Sequence, residues 1–185
     1  KDDAARAAAT ADLKAGVERA QRLMEQLLSL SRVEPDAPAN SQQPLDLGEL
    51  ARDAVGRHSV LAEHHGIDLG AAGEPVRITA DRHELEVMLD NLIGNAIRHT
   101  PAGGTVDVRA SRIDGLPVLR VIDDGPGIAQ GERERVFDRF YRGEGQQTDA
   151  QRSGSGLGLA IVRAIAQRHG ASVELHTAPA GHGLE

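Results

Sequence analysis

Hydrophobic residues recur at helical spacing in four stretches of the chain, and these stretches set the predicted architecture. The first covers residues 2–34, where the apolar positions step by four and three: Leu13, Val17, Ala20, Met24 and Leu27. So narrow a stripe is typical of a coiled-coil-like helix that packs against partner helices. The alternative is an ordinary amphipathic helix packed on the domain that follows it.

Three shorter helices are predicted over residues 47–65, 81–99 and 157–169. Gly66 and Gly170 supply C-terminal stops for the first and last of these. The middle helix has the clearest apolar stripe, and Asp81 with Glu84 predicts a capping box at its start. Thr100 and Pro101 end it.

Strands are predicted over residues 67–69, 76–80, 105–112, 118–123 and 172–177, and a last strand beyond them is expected to be truncated. Adjacent strands without an intervening helix imply a sheet that is partly antiparallel. The order therefore predicts an α/β (α+β) two-layer sandwich, in which a mixed sheet packs on about three helices. Residues 35–44, PDAPANSQQP, are rich in proline and predict a linker between the long helix and a domain over 45–185.

Composition narrows the function classes. The 185 residues contain no cysteine, which excludes disulfides, thiolate metal sites and a cysteine nucleophile. The net charge of −7 argues against a nucleic-acid surface. No apolar run approaches the roughly 20 residues of a membrane span. The three aromatic residues, Phe137, Phe140 and Tyr141, fall within five positions. Such a cluster indicates one local structural role and not a role in building the core.

Two asparagines and an arginine share one polar stripe of the helix over 81–99. At 3.6 residues per turn, Asn91, Asn95 and Arg98 lie together, away from the apolar face. Two amides and a guanidinium can face a polyphosphate, and an amide oxygen suits Mg²⁺. The alternative is a solvated helix face.

A carboxylate followed by glycines ends the strand over 118–123. In the sequence DDGPGI, Asp123 can accept a hydrogen bond from an amino group such as that of adenine. Gly125 and Gly127 leave room for a flat ring against the backbone. The alternative is a plain turn after a strand.

A second glycine-rich segment, GSGLGL, precedes and begins the helix over 157–169. Gly154, Gly156 and Gly158 place backbone N–H groups at a helix N-terminus, which binds anions. The spacing matches neither the dinucleotide fingerprint nor the Walker motif. The alternative is a flexible hinge.

Residues 128–155 are long for a connection in a compact domain, which favours a functional lid. Its middle holds RVFDRFYR, in which Arg139 and Arg142 are candidates to reach a terminal phosphate. Phe137 and Phe140 are candidates to fix the lid to the domain. The alternative is an amphipathic surface helix over 135–142.

Taken in order, these motifs resemble the asparagine, first glycine, phenylalanine and second glycine boxes of bacterial sensor histidine kinases. The resemblance is to their catalytic and ATP-binding domain, of the Bergerat fold. It implies ATP and Mg²⁺ as ligands, with Asn95 as the metal ligand. Residues 1–34 resemble the second helix of the family's dimerisation and phosphotransfer hairpin.

The resemblance also implies site roles. Asn91, Arg98, Arg139 and Arg142 would form the catalytic set. The nucleotide would be bound by Asn91, Asn95, Arg98, His99, Asp123, Gly125, Gly127, Ile128, Phe140, Gly154, Ser155, Gly156, Leu157 and Gly158. His99 stands where many relatives have tyrosine, so ring stacking on adenine is an open question.

The function implied by the resemblance is transfer of the γ-phosphoryl group of ATP to a histidine of the protein's own dimerisation domain. An aspartate of a response regulator would then receive it. The resemblance implies a homodimer through the hairpin, no nucleic-acid partner, and a cytoplasmic location with membrane contact only through upstream segments. The histidine box that would carry the acceptor is not in this sequence.

Asn91 favours a kinase over an ATPase, because the matching position in ATPase branches is usually glutamate, which orients a water for attack. Two alternatives stay open: a same-fold ATPase that activates water elsewhere, and a nucleotide-binding regulator without catalysis. An anti-sigma-type serine kinase is similar but normally lacks a segment like 1–34.

Overall fold

The computed structural model describes residues 42–141, 143, 155–178 and 183–185. The helix predicted over 2–34 lies outside the described residues, as do linker residues 35–41 and two predicted site residues, Arg142 and Gly154. The predicted C-terminal limit of the linker, residue 44, is wrong. Residues 42–44 belong to the first strand, β1 (Gln42–Asp46).

The three shorter helices are confirmed to within one residue at each end. They are α1 (Leu47–His65), α2 (Arg82–His99) and α3 (Gly158–Arg168). The Asp81 carboxylate accepts a hydrogen bond from the Glu84 N–H at 3.1 Å, as the capping box predicts. Gly66 ends α1 in the left-handed conformation, with φ of 67°.

Four further strands follow β1: β2 (Asp68–Gly73), β3 (Arg77–Asp81), β4 (Thr105–Ile113) and β5 (Leu116–Asp123). β2 pairs parallel with β4, and β4 pairs antiparallel with β5. The mixed sheet is therefore confirmed. β1 forms a separate antiparallel ladder with β3. Its proline is tolerated because, among the described residues, β3 is the one strand that pairs with it.

The strand predicted over 172–177 is wrong, because this segment forms no ladder with the described residues. His176 and Glu185 exchange backbone hydrogen bonds at 2.8 and 2.9 Å. Leu184 makes isolated bridges to Thr177 and Asp123. The described partner, residues 183–185, is too short for a regular pair of strands.

The core lies between the sheet and the helices, and aliphatic side chains fill it. Alternate residues of β4 are fully buried beneath α1 and α2: Val106, Val108 and Ala110. A smaller cluster joins α3 to α2, in which Leu157, Ile161 and Ile165 pack against Val87 and Met88. No helix of the described part is long and apolar enough to cross a membrane.

Candidate functional site

The polar stripe of α2 is held by its own hydrogen bonds. Asn91 donates from Nδ2 to the Val87 carbonyl oxygen at 2.8 Å, one turn earlier. Arg98 donates from Nη1 to Asn95 Oδ1 at 3.0 Å. All three polar side chains belong to half-buried residues. The amides are thus oriented before any ligand binds.

The first residue of α3 lies directly over the two asparagines. A Cβ atom on Gly158 would come within 3.0 Å of Asn91 Oδ1 and 3.4 Å of Asn95 Nδ2. α3 begins without a side-chain cap on its N-terminal N–H groups. The N–H groups at the start of α3 and the amides of Asn91 and Asn95 therefore face the same gap, which a side chain at position 158 would fill. Such a gap suits an anion.

Asp123 ends β5 on the sheet face that carries the helices, because it pairs with the buried Val106. Burial raises the pKa of its carboxyl group, and hydrogen bonds to Oδ1 from the Gly125 N–H (3.0 Å) and the Leu184 N–H (3.3 Å) oppose that rise. The negative charge of Asp124 adds to it. No donor among the described residues bonds to the second oxygen, Oδ2, which leaves it for a ligand.

Gly125 allows the Asp123 carboxylate to lie close to the C-terminal end of α2. A Cβ atom there would lie 3.0 Å from Asp123 Oδ1 and 3.1 Å from the carbonyl oxygen of His99. Gly127 has φ of 70°, a conformation that favours glycine, and its Cβ would meet the Gly183 carbonyl oxygen at 3.0 Å. The backbone of the DDGPGI segment therefore packs directly against neighbouring backbone, and Gly125 and Gly127 leave no room for a side chain.

The described part of the segment predicted as a lid, residues 128–155, contacts Gly156. The Phe140 N–H donates to the Gly156 carbonyl oxygen at 2.9 Å, and a Cβ on Gly156 would lie 2.8 Å from Phe140 Cα. The prediction that the Phe140 side chain fixes the lid is wrong, because its backbone has φ of 65° and its ring is 64% exposed. The backbone makes the attachment instead. Phe137 is half-buried, with the Arg163 guanidinium 5.8 Å from its ring centroid.

The amphipathic helix considered for residues 135–142 is also absent from its described part. Short 3₁₀ turns occupy Gln130–Glu132 and Arg135–Phe137. Arg139 is exposed, and its contact with a phosphate remains a prediction.

The sequence analysis missed an arginine near the start of the segment predicted as a lid. Arg133 donates from Nε to the Ile128 carbonyl oxygen (3.2 Å), from Nη1 to the Leu175 carbonyl oxygen (2.9 Å) and from Nη2 to Thr177 Oγ1 (3.0 Å). Nearby, the Tyr141 hydroxyl donates to Glu132 Oε1 at 2.9 Å. Leu175 and Thr177 lie too far from Arg133 in sequence for spacing alone to reveal their contacts.

Most of the described site residues that the sequence predicts line one open cleft, whereas Gly125, Arg139 and Phe140 are not part of its lining. Its lining includes Asn91, Asn95, Asp123, Ile128, Ser155 and Gly158. Arg98, His99, Gly127 and Gly156 border the same cleft. Leu157 is an exception among the predicted ligand contacts. The whole residue is buried beside Val87 and Met88, and its N–H donates to Ser155 Oγ at 3.2 Å, so it has no exposed surface for a ligand.

The donor set of the cleft fits a nucleotide with its metal ion. The described residues contain no cluster of three His, Asp or Glu side chains suited to a metal. A cation here would therefore depend on an amide oxygen together with water and ligand oxygens, which is how Mg²⁺ commonly binds. Asn95 Oδ1 has a second lone pair beside the one that accepts from Arg98.

Comparisons with known proteins show the family of this chain. Residues 80–185 match a family described as histidine kinase-, DNA gyrase B- and HSP90-like ATPase. The sensor protein kinase PmrB of Pseudomonas aeruginosa is 38% identical over 185 residues, covering 100% of this chain and 38% of that protein. The chain thus spans about two fifths of the length of this curated relative.

Two solved structures resemble this chain in fold and sequence. The mycobacterial sensor histidine kinase MprB is 31% identical, with a TM-score of 0.67, covering 78% of this chain and 93% of that one. Full-length ShkA in complex with AMPPNP is 34% identical, with a TM-score of 0.74, covering 88% of this chain and 34% of that one.

Proposed function

This chain belongs to the histidine kinase-, DNA gyrase B- and HSP90-like ATPase family, as its motifs predicted, and from that premise we propose that it is the catalytic part of a sensor histidine kinase. It binds Mg-ATP and transfers the γ-phosphoryl group to a histidine of its own dimerisation domain. Onward transfer goes to an aspartate of a response regulator, and the protein acts as a homodimer through its hairpin.

The single observation that carries this proposal is the position of Gly158 above Asn91 and Asn95, in the same cleft as Asp123. Phosphates bind where the α3 N-terminus meets the amide pair, and the purine binds at the carboxylate. The nucleotide thereby extends along one wall of the cleft. The similarity to ShkA, whose structure contains AMPPNP, supports this assignment.

Each end of the cleft supplies a different interaction. Asp123 Oδ2 accepts a hydrogen bond from the exocyclic amino group of adenine, while Oδ1 stays bonded to the backbone. Arg98 and the α3 N–H groups bind phosphate oxygens. Asn95 would hold Mg²⁺, which neutralises charge on the phosphates when it is bound.

Asn91 favours transfer to histidine over transfer to water. Its amide has no basic group to take a proton from water, and its Nδ2 is already bonded to the Val87 carbonyl oxygen. Phosphoryl transfer can proceed by positioning and charge stabilisation once a histidine nitrogen is in line with the γ-phosphate. A site built this way protects ATP from hydrolysis until the acceptor arrives.

The test uses calorimetry with Mg-AMPPNP, followed by phosphotransfer from ATP to a separately supplied histidine hairpin. We expect binding of one nucleotide and acid-labile phosphate on the hairpin. Asn95→Ala should abolish the Mg²⁺ dependence of binding, and Asp107→Asn, on the other face of the sheet, should not. Tight binding without transfer would instead favour a non-catalytic regulator, and rapid phosphate release without a hairpin would favour an ATPase.

A further inference from the structure

A charged cluster joins α2 to α3 at the end remote from the asparagines. Glu84 lies in the first turn of α2, Arg168 is the last residue of α3, and His169 follows it. Glu84 Oε1 is 3.2 Å from Arg168 Nε, which makes the charge–charge contact of the cluster. Glu84 Oε2 is 2.9 Å from His169 Nε2, but this contact does not have the geometry of a hydrogen bond. The two Glu84 oxygens thus contact two consecutive residues at the end of α3.

This cluster is more enclosed than the neighbouring ion pairs of α2. The side chains of Glu84, Arg168 and His169 are 15%, 17% and 12% exposed. Those of Arg82 and Glu86, two residues to either side of Glu84, are 36% and 28% exposed. Water and salt screen an enclosed pair less, so its geometry constrains its partners more strongly.

The cluster and the nucleotide site lie at opposite ends of the same helix pair. α3 runs antiparallel to α2, because Gly158 meets Asn91 and Asn95 while Arg168 meets Glu84. At 1.5 Å per residue, these two ends of α3 are about 15 Å apart. A shift of α3 along its axis therefore moves both ends together.

Between the two ends, the contacts are apolar. Leu157, Ile161 and Ile165 of α3 pack on Val87 and Met88 of α2. Apolar contacts are not directional, so they hold α3 against α2 without fixing where α3 lies along its axis. A charged pair with a defined geometry fixes that position more sharply. The charged cluster is the feature that can set how far Gly158 sits over the asparagine pair.

The geometry points to Glu84 as a positioning residue for nucleotide phosphates. It acts through α3, whose axial position fixes the gap between the helix N-terminus and the amides of Asn91 and Asn95. This inference rests on the proposed function and deepens it. Glu84 touches neither substrate nor metal, and its effect is confined to the phosphate end of the site.

The test compares Glu84→Gln with the wild-type 185-residue chain in two titrations. We expect Mg-AMPPNP to bind about five- to tenfold more weakly, the size typical of coupling through packed elements. Adenosine, which lacks phosphates, should bind with unchanged affinity in a chemical-shift titration by NMR, because Asp123 stays on β5. Glu86→Gln, which removes a charge from the same helix but does not reach α3, is the matched control.

Equal AMPPNP affinity for Glu84→Gln and wild type would overturn the inference. So would equal losses for AMPPNP and adenosine, since these indicate general loosening of the fold. If Glu84→Gln melts too early to titrate, Glu84→Asp decides, with a smaller loss expected for AMPPNP alone. Failure of the wild type to bind AMPPNP would overturn the proposed function itself, which separates the two outcomes.

Discussion

Replacing Asp123 by asparagine separates its structural role from its binding role. The asparagine oxygen can still accept the hydrogen bonds from the Gly125 and Leu184 N–H groups. The second carboxylate oxygen, however, becomes an NH₂ group, which donates and cannot accept from the adenine amino group. The fold should therefore survive while base recognition fails.

The size of the effect follows from the kind of bond that is lost. A hydrogen bond to a charged acceptor contributes about 1.5–3 kcal/mol. Since about 1.4 kcal/mol corresponds to tenfold in affinity, Asp123→Asn should bind Mg-AMPPNP about 10- to 150-fold more weakly.

The thermal stability of the Asp123→Asn variant should stay level or rise, although its nucleotide affinity falls. Burial raises the pKa of Asp123, so the folded state holds the proton more tightly than the unfolded state does. Protonation of Asp123 therefore stabilises the fold at low pH, and this contribution is lost as the pH rises through the folded pKa. Asparagine carries no charge to bury, so the variant should melt at or above the wild-type temperature at neutral pH.

The assay is calorimetry with Mg-AMPPNP together with a thermal melt. Asp107→Asn is the control, because Asp107 alternates with the buried residues of β4 and pairs with Arg109 on the opposite face. In the wild type, affinity should fall as the pH drops through the raised pKa of Asp123, and the variant should lack that dependence. Unchanged affinity, or a loss of affinity accompanied by a lower melting temperature, would refute the reasoning.

Three further predictions concern phosphate binding and phosphoryl transfer. Gly158→Ala places a methyl group 3.0 Å from Asn91 Oδ1, so Mg-AMPPNP should bind about fivefold more weakly by calorimetry, while alanine's helix preference keeps the melting temperature level or higher. Asn91→Glu introduces a general base, so phosphate release from ATP should rise about tenfold or more; an unchanged rate would count against the role given to Asn91. The 185-residue chain, which has no histidine box, should retain no acid-labile radiolabel after incubation with ATP; retained label would contradict the proposal that the acceptor lies elsewhere.

The sequence predicted those parts of the fold that local chemistry determines. Helix limits followed from caps such as Asp81 and stops such as Gly66, whose effects act within one turn. The asparagine stripe followed from the helical repeat, and Asp123 was identified because a carboxylate directly follows an apolar strand. The order of the boxes then indicated that these residues belong to one site.

Features that depend on distant partners could not be predicted in this way. The polar residues of β1 resemble a linker until β3 pairs with them. The contacts of Arg133 with Leu175 and Thr177 span more than 40 residues, and those of Glu84 with Arg168 and His169 span more than 80. Phe140 was assigned a packing role from its residue type alone, whereas in the structure the residue is 64% exposed and has a positive φ.

The most direct test of a single shared site is an NMR titration of the chain with Mg-AMPPNP, following signals from both ends of the cleft. The side-chain amides of Asn91 and Asn95 and the backbone N–H groups of Gly125 and Gly158 should shift together, with one common dissociation constant. Shifts confined to one end, or two different dissociation constants, would show that the carboxylate and the amide pair do not bind one nucleotide.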